Sequence, residues 1–251
     1  MNKLILLRHG QSQWNLENRF TGWTDVPLTS KGVSEAQFAG QLMRKHNINI
    51  DLIFSSVLIR ANKTAELAIK EMNLKHLWSN NELLMQKDKN LNERDYGKLV
   101  GLNKEETAKK FGKEQVHIWR RSYDIPPPEG ESLKAVVERV KPYYDEFIEP
   151  EILLNKNVLI VAHGNSLRAT MIRVGLYKPN EISEIELPTG SPFIINFQKG
   201  KVFDFNFLSL NFLNFSKLIT LFSLIFFLFL LDILSFFSID FSLVNSSPKL
   251  A

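Results

Sequence analysis

Short apolar runs alternate with segments of helical spacing over about the first 200 residues of the chain. Nearly continuous apolar runs at residues 3–7, 51–55 and 157–162 predict strands buried on both faces of a parallel sheet. Helices are predicted from Thr29 or Ser30 onward and over residues 57–72, 103–111, 131–148 and 166–174, with a kink at Pro142. Residues 79–92 are predicted to be irregular, and residues 182–187 and 193–197 to complete this part of the chain. The alternation predicts an α/β fold: a mostly parallel central sheet with helices on both faces.

The pattern changes abruptly near residue 203. Twelve of the nineteen phenylalanines follow Val202, and Phe and Leu together fill half of positions 203–250. We therefore predict a catalytic domain over residues 1–202 and a separate Phe/Leu-rich tail over residues 203–251. Residues 218–231 are uncharged, and the apolar run reaches residue 239 if Asp232 is included, which is about the length of a membrane span.

Three interpretations of this tail stay open. The first interpretation is a membrane anchor through residues 208–239. The second is a buried contact between subunits of a homo-oligomer, and the third is an extension of no selected function. Readthrough or a frame shift in an A+T-rich gene would produce the last, because such codons favour Phe, Leu, Ile, Asn and Ser.

Composition and charge narrow the function of the first domain. The chain has no cysteine, which excludes a disulfide scaffold, an iron–sulfur site and a thiol nucleophile. Its net charge of +4 is mildly basic and no run of Lys or Arg occurs, which fits a small anionic substrate better than nucleic acid. The apolar stretch at the N-terminus is too short for a signal peptide, so a cytoplasmic location is expected. No spacing typical of metal ligands is present, and no metal is expected.

Two strands end in the same dipeptide. The first predicted strand runs into Arg8-His9-Gly10, and the strand at 157–162 runs into His163-Gly164. Ligands bind outside the carboxyl ends of strands in a parallel sheet, so neighbouring strands would bring the histidines together there. A histidine that merely caps its strand is the alternative for each.

This arrangement indicates phosphoryl transfer through a histidine nucleophile. One imidazole would attack phosphorus, while the second and several guanidinium groups would hold the phosphoryl oxygens. The candidate cations are Arg8, Arg60, Arg120 and Arg121, since the guanidinium fork matches phosphate oxygens. A carbonyl near Gly10 or the hydroxyl of Ser12 would fix the tautomer of the nucleophile.

Several motifs resemble those of the cofactor-dependent phosphoglycerate mutases. The Arg-His-Gly signature alone marks the wider histidine phosphatase superfamily. More specific to the mutases are the Asn-Glu-Arg-x-Tyr-Gly block at residues 92–97, the Arg pair before three prolines, and Gly-Asn-Ser-Leu-Arg at 164–168. The resemblance also includes Phe-Thr-Gly-Trp-Thr-Asp at 20–25 and Leu-Pro-Thr-Gly at 187–190, and it spans roughly residues 1–202 in order.

The resemblance implies a glycolytic and gluconeogenic isomerase that interconverts 3- and 2-phosphoglycerate. His9 would be the phosphorylated nucleophile, primed by 2,3-bisphosphoglycerate, and Glu93 the acid/base, with a pKa raised by nearby phosphate. His163 would complete the catalytic set. The implied binding residues are Arg8, Ser12, Asn15, Thr21, Gly22, Arg60, Tyr96, Lys104, Arg120, Arg121, Gly164 and Asn165.

Two departures from the family and two other functions stay open. The segment between Pro128 and Glu131 is shorter than in many members, which leaves the cover of the site and the oligomeric state in question. Asp95 stands where many members have His, beside the implied acid/base. A histidine phosphatase acting on a small phosphorylated metabolite is the first alternative, and a non-catalytic, membrane-associated binder of a phosphorylated ligand is the second.

Overall fold

The computed structural model describes residues 1–209, and the interpretations of the tail from residue 210 onward lie outside this range. The strands are β1 (Asn2–Arg8), β2 (Leu52–Ser55), β3 (Trp78–Ser79), β4 (Glu82–Leu83), β5 (Gln86–Lys87), β6 (Val158–Ala162), β7 (Pro192–Gln198) and β8 (Lys201–Phe207). In this range a main sheet has the order β5-β2-β6-β1-β7-β8, and β3 and β4 form a separate hairpin. The pairs from β5 to β1 are parallel, whereas β7 and β8 are antiparallel.

Helices cover both faces of the sheet. They are α1 (Gln13–Leu16), α2 (Ser30–Lys45), α3 (Ile59–Met72), α4 (Lys104–Phe111), α5 (Lys113–Arg121), α6 (Leu133–Tyr143), α7 (Glu149–Leu153) and α8 (Gly164–Arg173). A π-helical turn, Tyr144–Ile148, joins α6 to α7, and single 3₁₀ turns occupy Lys75–Leu77, Lys89–Leu91, Gly97–Leu99 and Ile182–Glu184.

Alternate side chains of β1 enter two different cores. Leu4 and Leu6 pack with residues of α6 and α8, while Ile5 and Leu7 pack with residues of α2 and α3. Successive side chains of a strand point to opposite faces, so a strand covered on both sides has to be apolar throughout. The predicted fold class, a mostly parallel sheet between two helical layers, is confirmed.

The structure differs from the sequence prediction over residues 79–92 and 113–121, among other places. Helix α5 follows directly on α4 and was not predicted, and residues 79–92 contain short strands rather than only irregular chain. Pro142 lies inside α6, and the chain becomes π-helical two residues later, while the kink expected at this proline stays a prediction.

The sheet continues beyond residue 202. Strand β8 pairs with β7 from Lys201 to Phe207, and the compact unit extends to Leu208, so the expected boundary falls inside the last strand. No helix within residues 1–209 is both long enough and apolar enough to cross a bilayer.

Candidate active site

The carboxyl ends of β1 and β6 bring the two histidines together. These strands are parallel neighbours with Arg8 opposite Ala162, and the His9 amide donates to the Ala162 carbonyl at 3.0 Å. The imidazole rings of His9 and His163 lie 4.9 Å apart between centroids, and both side chains are buried. The prediction that they meet at this edge of the sheet is therefore confirmed.

A backbone carbonyl fixes the tautomer of His9. Its Nδ1 lies 2.7 Å from the carbonyl oxygen of Gly10, which can only accept, so the ring proton is on Nδ1 and the lone pair on Nε2. Burial lowers the pKa of His9 well below its ordinary value, and the nearby His163 and the charge of Arg60 lower it further, because a second positive charge here would be repelled. His9 is thus a neutral imidazole whose Nε2 is available as a nucleophile.

Two helices hold the turn after His9. A Cβ atom on Gly10 would lie 2.2 Å from the carbonyl oxygen of Gly32 in α2, so only glycine permits this approach. The Gly10 amide donates to the hydroxyl of Thr64 in α3 at 3.1 Å, and that hydroxyl donates to the Arg60 carbonyl at 2.7 Å. The turn that carries His9 and the Arg60 backbone are therefore linked through the Thr64 hydroxyl.

Arg60 and Arg8 place positive charge beside the histidines. Arg60 is almost fully buried and donates to the carbonyls of Gly22 and Thr24 at 2.8 and 2.9 Å. Arg8 donates to the Leu187 carbonyl at 2.8 Å. Burial lowers the pKa of Arg60 to about 10, which still leaves it charged at neutral pH. The Nε atoms of both arginines are buried without a partner in the described part of the chain, so each can donate to an anion.

His163 is held by Ser56. Its Nε2 lies 2.7 Å from the Ser56 hydroxyl, which accepts the Leu58 amide proton and can donate its own to the imidazole. The proton of a neutral His163 then sits on Nδ1, which has no hydrogen-bond partner among residues 1–209. Burial lowers the pKa of His163 well below its ordinary value, and Arg60 and Arg8 add to this.

One oxygen of the Glu93 carboxylate, Oε1, accepts three hydrogen bonds. Oε1 accepts from its neighbour's amide, Arg94 N–H, at 2.8 Å and from the backbone and side chain of Asn165 at 3.1 and 2.9 Å. Burial alone raises the pKa of Glu93, but these donors and the charges of Arg8 and Arg60 bring it below its ordinary value. The protein's own groups therefore lower this pKa, and the rise expected from a nearby phosphate stays a prediction.

A polar cleft in two connected parts contains most of the predicted residues. The parts share Arg8, Glu93, Tyr96 and Lys104. The inner part adds His9, Asn15, Thr21, Gly22 and Arg60. The outer part, of about 170 Å³, adds Arg120, Arg121, Gly164 and Asn165. With His163 against His9, the structure brings together every predicted site residue except Ser12.

Comparison with known proteins agrees with this geometry. The family model of the histidine phosphatase superfamily (branch 1) matches residues 4–210, which is most of the chain. The chain belongs to the histidine phosphatase superfamily.

Similar members of the superfamily include phosphoglycerate mutases. The 2,3-bisphosphoglycerate-dependent phosphoglycerate mutases of Methylocella silvestris and Zymomonas mobilis are each 50% identical to this chain, over 191 and 216 residues. These alignments cover 76% and 77% of this chain, and 90% and 92% of the relatives. Among solved structures, YhfR of Bacillus stearothermophilus is similar with a TM-score of 0.67 and 25% identity, over 81% of this chain and 95% of its own.

Ser12 has an indirect place in this histidine phosphatase fold. Its hydroxyl caps α1, accepting from the Asn15 amide at 3.3 Å and donating to the Asn15 side chain at 3.0 Å. The side chain is fully buried, and it holds Asn15, which lines the cleft. Gly10 rather than Ser12 orients His9.

Sequence reasoning missed three residues of the site. Arg168 lines the outer cleft and donates to the Ile185 carbonyl through Nε and Nη2. Ser56 orients His163, and Asp25 caps α3 by accepting from the Ile59 amide at 2.8 Å. Arg168 and Asp25 lie in quoted motifs and could have been found there, whereas Ser56 carries no signal outside the tertiary structure.

Chemistry rather than size identifies this cleft. A larger hollow of about 400 Å³ lies beside Trp78 on the outer side of α3, lined by residues such as Lys63, Lys70 and Asn81. It contains neither a histidine nor a cluster of arginines. Residues 1–209 contain no group of three His, Asp or Glu side chains arranged to hold a metal ion.

Proposed function

We propose that the protein interconverts 3-phosphoglycerate and 2-phosphoglycerate through a phosphohistidine at His9. The observation that carries this proposal is the pairing of a neutral nucleophile, His9, with an ionised acid/base, Glu93, in one cation-lined cleft. The 50% identity to phosphoglycerate mutases supports it.

The site's unpartnered atoms fit a phosphoryl group. Arg8, Arg60 and His163, which surround His9, each have a buried nitrogen without a hydrogen-bond partner in the described residues. Each of these nitrogens can donate a hydrogen bond to a phosphate oxygen. When bound, 2,3-bisphosphoglycerate supplies the phosphoryl group that primes His9. The residues of the outer cleft, with Lys104 and Arg120 among them, would bind the remaining anionic end of the molecule.

In the transfer, Glu93 acts on the substrate hydroxyl, and His9 carries the phosphoryl group that the hydroxyl oxygen attacks. Glu93 takes the proton of the substrate hydroxyl as that oxygen attacks phosphorus, and the phosphorus–nitrogen bond to His9 breaks. The first transfer leaves a bisphosphoglycerate and a free His9. In the second transfer Nε2 of His9 attacks the other phosphoryl group of that molecule, its phosphorus–oxygen bond breaks, and Glu93 returns the proton to the leaving oxygen. The negative charge of a bound phosphoryl group raises the pKa of Glu93, which favours accepting that proton.

The test is a comparison of isomerisation with phosphate release. The purified chain, primed with 2,3-bisphosphoglycerate, should interconvert the two phosphoglycerates faster than it releases inorganic phosphate. Rapid phosphate release with negligible isomerisation would instead identify a phosphatase of the same superfamily. Cytoplasmic glycolysis and gluconeogenesis are the setting this reaction implies, and a homo-oligomer and membrane contact through the tail stay predictions.

A further inference from the structure

Arg139 of α6 binds the backbone of the segment that carries Glu93. Its Nη1 donates to the Asn90 carbonyl at 2.6 Å, and its Nη2 donates to the carbonyls of Asn92 and Glu93, each at 3.0 Å. One guanidinium therefore contacts three carbonyls, those of Glu93 and of two residues just before it, and Arg139 is not among the residues that line the cleft.

Glu131 completes this contact from the other side. It forms a bidentate ion pair with Arg139, at 2.8 Å from Nε and 3.0 Å from Nη2. The same carboxylate accepts from the Asp95 amide at 2.9 Å, and the Glu131 amide donates to the Asp95 carbonyl at 2.8 Å. Both side chains are mostly buried, with 15% and 22% of their surfaces exposed.

Trp23 adds a third support. Its Nε1 donates to the Glu93 carbonyl at 2.6 Å, and the guanidinium of Arg139 lies 5.7 Å from the centre of its ring. Trp23 stands between Gly22 and Thr24, whose carbonyls hold Arg60. The acid/base segment and the loop that holds the phosphate-binding arginine thus meet at Arg139.

We propose that Arg139, held by Glu131, is a positioning residue that sets the place of the Glu93 carboxylate relative to His9. This inference rests on the proposed function, since it assigns Glu93 the proton transfer. A segment of turns such as 88–97 lacks a regular ladder of its own, so its carbonyls need outside donors. The short connection after Pro128 places Glu131 within reach: the Lys98 amide donates to the Pro128 carbonyl at 2.9 Å.

The role is geometric rather than electrostatic. The charge of Arg139 is matched by the bidentate carboxylate of Glu131, and the groups that lower the pKa of Glu93 are the Arg94 amide, Asn165, Arg8 and Arg60. Those hydrogen bonds to Oε1 depend on where the segment lies. Loosening it weakens them, and the pKa of Glu93 rises.

The experiment compares Arg139→Lys with Arg173→Lys in the full chain. Arg173 also pairs with two carboxylates, Asp145 and Glu149, but at the far end of α8 from the cleft. We expect Arg139→Lys to lower kcat by about 10- to 100-fold with a smaller change in KM, as misplacement of a catalytic group does. Arg173→Lys should alter thermal stability and leave kcat unchanged.

A second readout does not depend on turnover. The Glu93 carboxyl carbon, labelled with ¹³C and assigned by its loss in Glu93→Gln, should titrate at higher pH in Arg139→Lys and at the wild-type pH in Arg173→Lys. If Arg139→Lys does not fold, Glu131→Gln and Trp23→Phe, each removing one of the supports, should show the same upward shift.

The activity of the wild-type chain tests the proposed function, and the comparison of the variants tests the role of Arg139. A wild-type chain without isomerase activity would refute the proposed function, and the titration would still decide the place of Glu93. Folded Arg139→Lys protein with wild-type kcat and an unchanged Glu93 titration would overturn the inference and leave Arg139 with a role in stability alone.

Discussion

Asn165 saturates one oxygen of Glu93 and leaves the other to the cleft. Its backbone amide and its side-chain amide both donate to Oε1, at 3.1 and 2.9 Å, and the Arg94 amide is the third donor to that atom. Oε2 accepts no hydrogen bond from residues 1–209, and a Cβ atom on Gly164 would lie 3.8 Å from it. The first turn of α8 therefore orients the Glu93 carboxylate.

Removal of the Asn165 side chain should shift the pH dependence of activity. In Asn165→Ala a donor that lowers the pKa of Glu93 is lost, so the pKa rises. The Glu93 carboxylate then becomes protonated at a higher pH as the solution is acidified. The acid limb of the kcat/KM profile should therefore move to higher pH. Profiles measured between about pH 5 and 9 check this, with Asn49→Ala in an exposed loop as control. Coincident profiles for the two variants would contradict the assignment.

Replacement of His9 should abolish phosphorylation of the protein as well as turnover. His9→Ala removes the Nε2 lone pair, and incubation with labelled 2,3-bisphosphoglycerate should leave no acid-labile phosphate on the chain. Isomerase activity should fall by at least about 10³-fold. The exposed His117 on α5 provides the matched control, since His117→Ala should retain both properties. An active His9→Ala protein would remove the nucleophile from the mechanism.

Arg120 and Arg121 should differ in their effects although they are adjacent. Arg121 donates to the Ser183 carbonyl at 3.1 Å and to Glu186 at 2.8 Å, whereas Arg120 makes no side-chain hydrogen bond within the described range. Arg120→Gln should therefore raise KM with little change in thermal stability. Arg121→Gln should raise KM and also lower the melting temperature, because it detaches the segment around Ser183. Steady-state kinetics and thermal unfolding of both variants measure this contrast, and equal stability losses would count against it.

Thr64 should matter for both stability and catalysis. In Thr64→Val the Gly10 amide loses its buried acceptor, which costs about 1–3 kcal/mol of unfolding free energy. Thr107 is a control of the same type, since its hydroxyl bonds only a carbonyl in its own helix, and Thr107→Val should cost less. Urea unfolding gives the two free energies. Thr64→Val should also lower kcat, because Gly10 holds the His9 tautomer, and a wild-type kcat would show that the turn keeps its place without this bond.

Truncation should show how far the catalytic domain extends. A chain that ends after Ser209 keeps β8, and it should fold and retain activity. A chain that ends after Val202 loses the contacts of Phe205 and Phe207 with Phe193, and should be less stable by about 2–4 kcal/mol. Equal unfolding free energies for the two truncations would place the boundary at residue 202, as the change in composition suggests.

The two strand ends that carry His9-Gly10 and His163-Gly164 could be predicted from the sequence because their signal is local. An apolar strand followed by His-Gly is visible in the letters, and parallel strands place their carboxyl ends on one edge, so His9 and His163 could be expected to meet. Helix α5 was missed because its apolar face is short: Val116 and Trp119 pack with Phe20 only once α4 and α5 lie together. Strand β8 was missed because its exposed phenylalanines share their composition with the tail.

By itself the sequence determined the layered α/β fold, the meeting of His9 with His163 and the cationic character of the cleft, since these follow from periodicity and from residue type. Only the tertiary structure decided that Gly10 rather than Ser12 orients His9, that Ser56 holds His163, and which donors and cations lower the pKa of Glu93. The physical reason is that a hydrogen bond or a pKa depends on which groups lie within a few ångströms, and these partners are distant along the chain.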